Sequence, residues 1–91
     1  MRTIHKYPLH ARNGKQVINT AALAQVLHVE AQGDDPFQLS MWVDLDNQWP
    51  RRSRIFEFFV TGGIVPSDAR FVSTHLFADG TFVLHLYEVY A

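Results

Sequence analysis

The sequence contains no cysteine. Disulfides, thiolate metal centres and thiol nucleophiles are therefore excluded. A chain of 91 residues without such staples must be held by packing or by a partner, because small domains bury a smaller share of their surface. An excess of charge of one sign is missing too. Eight Lys and Arg stand against nine Asp and Glu, for a net charge of −1. A nucleic-acid binder that neutralises phosphates needs a basic face, and an acidic decoy of DNA needs the reverse, so neither class fits. No run approaches the ~20 apolar residues of a membrane span. The opening residues lack the apolar stretch of a secretion signal. A protein that stays in the cytoplasm, with no membrane partner, is the expectation.

What is present is a globular composition, 47% hydrophobic, arranged mainly with period two. RTIHKY (residues 2–7) reads as a strand, and Pro8 ends it or marks it as an edge, since proline cannot donate to a ladder. Asn13-Gly14 is a strong hairpin signal, with QVIN as a short return strand. Thr20 offers a cap for a helical turn through Leu23. Residues 25–32 read as a strand, with Leu27, Val29 and Ala31 on one face and Val26, His28 and Glu30 on the other. FQLSMWVDL (37–45) alternates most cleanly: Phe37, Leu39, Met41 and Val43 inward, Gln38, Ser40, Trp42 and Asp44 outward. Residues 46–53 read as a polar loop and 54–62 as a strand apolar on both faces. A hairpin closes the sequence, turning on Asp79-Gly80 as a type I′ turn. That register pairs Phe77 with Phe82 and His75 with Leu84.

The fold class is all-β: one domain over residues 1–91, a small antiparallel β-sandwich or partly open roll of about six strands, with at most one short helical turn. The strands after residue 54 are apolar on both faces, whereas a free antiparallel sheet shows one polar face. A second sheet or another subunit must cover the outer one, and a symmetric homodimer is the commonest such arrangement.

Catalytic patterns are scarce. His5, His10, His28, His75 and His85 show no metal-ligand spacing, and the hairpin register puts His75 and His85 on opposite faces. Glu57 and Glu88 lie in apolar strands, where a carboxylate needs a partner; Arg54 or Arg70 is within reach of Glu57 as a rim salt bridge. Ser40, Ser53, Ser67 and Ser73 carry no sign of activation. Gly62-Gly63 is too short for a phosphate loop. No enzymatic activity, metal or cofactor is expected.

NQWPRRSR is the polar stretch with most binding character. Trp49 stands beside Arg51, Arg52 and Arg54, and Trp and Arg are the residues enriched at binding hot spots. Arginine forks also hold phosphates and carboxylates in two-pronged fashion. With Trp42 on the preceding strand, these five residues are the candidate partner- or ligand-binding set. The plainer reading is a solvated turn whose Trp covers the core edge, its arginines balanced by Asp44 and Asp46.

Four segments, MRTIHKYPL, MWVDLDNQWPRRSRIFEFFVTGG, IVPSDARFVSTHLF and FVLHLYEV, together span nearly the whole chain. In that order they resemble a family of short phage and prophage proteins of unassigned function. The family tends to carry a histidine after the Thr-Gly of the central loop; here Gly63 occupies that place, which puts any role of that histidine in question. The resemblance implies a stand-alone β domain made in the host cytoplasm, and no catalytic residues. Three functions suit such a domain. The first is an accessory protein that binds a host factor, for example as a counter-defence inhibitor. The second is a binder that sequesters a small phosphorylated, nucleotide-type ligand at a dimer interface, which requires Arg51, Arg52 or Arg54 to face a concave pocket. The third is a structural or assembly part of the virion.

Overall fold

The computed structural model describes residues 1–90. It has seven strands: β1 (Arg2–His10), β2 (Lys15–Ala21), β3 (Gln25–Ala31), β4 (Gln38–Asp46), β5 (Arg51–Val60), β6 (Arg70–Phe77) and β7 (Phe82–Val89). They form two antiparallel sheets, one of order β1-β4-β3 and one of order β2-β5-β7-β6. The expected all-β sandwich is the observed fold, with one strand more than the expected number.

The alternation of β4 explains the core. Leu39, Met41, Val43 and Leu45 are all buried, and the residues between them are not. Opposite them the second sheet presents Phe56, Phe58, Leu84 and Leu86. Two contacts close the sandwich at its sides. Tyr7 donates its hydroxyl to Thr20 Oγ1 at 2.9 Å, joining β1 to β2. Phe37 stacks on Phe77, ring centroids 4.7 Å apart.

The sequence expectations are corrected at several points. Of the two alternatives for Pro8 the edge holds: β1 runs on to His10 and is an edge strand, where a missing N–H is tolerated. Asn13-Gly14 is a turn, with Gly14 at φ +57°, but β1 and β2 do not pair. The turn is a corner that carries the chain from one sheet to the other. Thr20 caps no helix; it is buried in β2. A register shift between Val26 and His28 overturns the facing expected for Val26 and Leu27, while Val29 and Ala31 share one face and His28 and Glu30 the other as expected. Val26 packs on the core and Leu27 is exposed, because a bulge flips side-chain parity. Residues 51–53 are not loop; β5 begins at Arg51.

The final hairpin follows its turn chemistry. Asp79 (φ 56°, ψ 31°) and Gly80 (φ 87°) have the angles of a type I′ turn, and Thr81 N–H donates to Ala78 O at 3.1 Å. Phe77 pairs with Phe82 and His75 with Leu84.

The sheet order also accounts for the apolar outer face of β7. Both β5 and β6 run antiparallel to β7, which lies between them, so they run parallel to each other. Residues 61–69 must therefore travel back along the sheet. Gly62, Gly63 and Val65 line a crevice with Phe59, His85 and Tyr87. The first part of the crossover, residues 61–65, thus borders the outer face, and Tyr87 is half-buried.

Candidate functional site

The five candidate residues do not form one patch. Trp42 lies on the outward side of the three-stranded sheet, stacked with His28 at 6.2 Å between centroids. Trp49 is half-buried and packs against the core. Arg51 donates from Nε to Asn19 Oδ1 (3.2 Å) and from Nη2 to Asn19 O (2.9 Å). Successive residues of a strand point to opposite faces. Arg52 and Arg54 therefore turn to the other side of β5 from Arg51, the side that carries Phe56 and Phe58. The two aspartates expected to balance the arginines are engaged elsewhere. Arg2 donates from Nε to Asp44 Oδ1 at 3.2 Å, and the Met1 amine donates to Asp46 Oδ1 at 2.9 Å. The Arg2 hydrogen bond lowers the pKa of Asp44, and the Gln48 backbone N–H, with the Met1 amine second, lowers that of Asp46.

Arg54 pairs with Glu88, not with Glu57. Its Nε donates to Oε2 at 2.7 Å and its Nη2 to Oε1 at 2.8 Å. Its Nη1 donates to Ala24 O at 2.6 Å. Both side chains of the pair are nearly buried, 13% and 11% exposed. The two parallel hydrogen bonds raise the guanidinium above its ordinary pKa.

Arg54 and Glu88 form the floor of a cleft of about 520 Å³ between the sheets. One wall is the β2–β3 turn and the start of β3, with Leu23, Val26 and Leu27. The other wall is the start of β6. The register pairs Arg70 with Glu88 and Phe71 with Tyr87, so Arg70 turns inward to the cleft. The cleft continues past Ala22 and Leu23 to Arg52, Asp68 and Tyr90. Leu23 and Leu27 are exposed, large and apolar. Among the described residues, neither Arg52 nor Arg70 has a carboxylate within ion-pair distance.

Arg52 and Arg54 thus meet the concavity condition, and Arg51 does not. Sequence reasoning missed Arg70 and the apolar wall. The one signal for this end of the molecule was Glu88, a carboxylate inside an apolar strand. His75 and His85 face opposite sides of their hairpin, as expected. His75 makes an edge contact with Phe58 inside, and His85 bonds Thr61 and Thr74 outside. Among the described residues no three His, Asp or Glu side chains come together as a ligand set.

Comparison with known proteins adds one finding. Residues 1–91 match the family described as a domain of unknown function (DUF7352), and the chain belongs to that family. No curated protein and no solved structure matches.

Proposed function

We propose that this member of the DUF7352 family is a non-catalytic binding domain whose cleft between the sheets takes an acidic, apolar segment of another protein. The observation that carries this is the combination of two exposed cations, Arg52 and Arg70, which among the described residues have no carboxylate within ion-pair distance, with the exposed apolar wall of Leu23 and Leu27. An exposed guanidinium beside an apolar surface favours a partner that offers a carboxylate and an aliphatic or aromatic group together. The Arg54–Glu88 pair makes the floor rigid and neutral. Recognition then falls on the two flanking arginines.

The resemblance to short phage proteins supports a host protein as the partner, met in the host cytoplasm. A counter-defence inhibitor would work this way, since it needs a scaffold and a patch but no active site. A small phosphorylated ligand held by the same two arginines is the competing occupant. The open shape of the cleft favours a protein segment, because small-molecule sites enclose most of their ligand.

Position-specific photo-crosslinking in the expressing bacterium tests the proposal. A benzophenone side chain at Leu27 is expected to give a discrete adduct with one other protein. Arg52→Glu with Arg70→Glu is expected to abolish the adduct while the melting temperature holds. An adduct that survives the charge reversal overturns the assignment, as does the absence of any adduct. Native mass spectrometry that finds a bound phosphorylated small molecule transfers the cleft to the competing reading.

A further inference from the structure

The two sides of the sandwich differ. On one side the Tyr7 hydroxyl bonds Thr20 and so ties β1 to β2. On the other side β3 and β6 belong to different sheets. Their polar side chains bond within their own sheets: His28 with Glu30 at 3.0 Å, Ser73 with His75 at 2.7 Å and Thr74 with His85 at 2.9 Å. Among the described residues no ion pair joins the two strands. The cleft described above fills the first half of this side, walled by residues 22–27 and 70–72. A second recess of about 320 Å³ follows it, walled by residues 30–31 and 74–78. Along both strands the two recesses are consecutive, and together they make one trough between β3 and β6.

β3 and β6 are both edge strands, so each turns main-chain groups toward this trough. In an antiparallel ladder alternate residues point their N–H and C=O away from the partner strand. From Ser73 to Phe77 the ladder of β6 with β7 is unbroken, and the register shift at Phe71/Ser73 lies just before it. Charge separates the two edges. β6 opens with Arg70, which turns into the cleft, and it carries no carboxylate. β3 carries Glu30 and no lysine or arginine. The free edge of β2 lies on the closed side, where Asn19 O already accepts from Arg51. The trough is also graded along its length. Arg52 and Arg70 stand at one end, and Ala31, Leu39 and Phe77 line the other.

We propose that the partner segment lies extended in this trough and pairs through its main chain with the edge of β6, as a fifth strand of the four-stranded sheet. This rests on the reading of the cleft given above and adds the conformation of the bound segment and the layout of its sequence. An extended peptide added to a sheet edge gains affinity from main-chain hydrogen bonds and specificity from pockets for alternate side chains. Arg70 and Arg52 place the acidic residues of the segment beside the start of β6. The apolar recess places its apolar residues beside the end of β6. Glu30 repels an acidic segment from the β3 edge, so β6 is the strand that pairs.

Hydrogen exchange read at single amides tests it, on the free chain and on the adduct isolated from the benzophenone variant at Leu27. In the free chain, protection from Ser73 to Phe77 is expected to alternate, because only the amides turned to β7 are bonded. In the adduct, protection is expected to be continuous over that run. The outward amides are expected to slow by at least about tenfold, with β2 and β3 unchanged. An adduct that keeps the alternation overturns the strand pairing and leaves the reading of the cleft standing, as does protection gained on β3 instead. Absence of any adduct overturns both. Continuous protection in the free chain gives the edge to a second copy and overturns the proposal.

Discussion

Arg54 and Glu88, 34 positions apart in the chain, meet as a two-pronged ion pair with contacts of 2.7 and 2.8 Å. The pair ties β5 to β7. Through Arg54 Nη1 and Ala24 O it also ties the four-stranded sheet to the turn that leads into the other sheet. Three structural elements thus converge on one guanidinium.

Breaking this pair from one side leaves a nearly buried charge without a partner. Arg54→Met or Glu88→Leu alone is expected to cost about 3 kcal/mol. The double variant Arg54→Met/Glu88→Leu is expected to cost less than the sum, because apolar replacement of a whole pair removes both desolvation penalties. Urea unfolding of the three variants checks this. Additive losses would mean that the two groups are not energetically coupled.

Acid sensitivity is expected to have an identifiable source. Burial is the main reason that His75 has a pKa below the ordinary histidine value of about 6.5, with His28 lowering it further and Glu30 opposing. Its Nε2 lies 2.7 Å from Ser73 Oγ. The folded form therefore binds a proton less readily than the unfolded form, and stability falls as pH drops below about 6.5. Melting temperatures measured from pH 7.5 down to 5 are expected to decline, and His75→Gln is expected to flatten that decline. Asp44 and Asp46 also have lowered values, but from the ordinary carboxylate range near 3.8. Their contribution is lost only at lower pH. An unchanged decline in His75→Gln would assign the effect to another group.

The opening residues are structural. Arg2 to Tyr7 pair in register with Asp46 to Met41, and Tyr7 supplies the hydroxyl bond to Thr20. Deleting residues 2–7 is expected to expose the inner strand β4 and abolish the cooperative thermal transition seen by circular dichroism. A truncated chain that melts at the full-length temperature would show that β1 adds nothing to the sandwich.

Part of this fold and site was legible in the sequence. Local patterns survived folding because they depend on neighbouring residues alone. The period-two run of β4 predicts its own buried face, and Asp79-Gly80 takes positive φ at little steric cost, so its hairpin register follows. The two-faced apolarity of the late strands also predicts a cover, and residues 61–65 border the outer face of β7 at His85 and Tyr87. The bulge in β3 left no such mark, and it reversed the facing of Val26 and Leu27.

The sequence by itself determined the all-β class, the alternation of β4 and the closing turn, because alternation and turn chemistry act over a few residues. Only the tertiary structure decided which sheet each strand joins. Asn13-Gly14 looks the same whether it closes a hairpin or turns a corner between sheets, and burial of Leu9 and Ile18 on facing sheets made it a corner. The tertiary structure also decided the fate of the arginines. Their closeness in the chain put Arg51 and Arg52 on opposite faces of one strand. Partners 30 and 34 residues away, Ala24 and Glu88, then claimed Arg54 for the floor of the cleft and left Arg52 and Arg70 beside it.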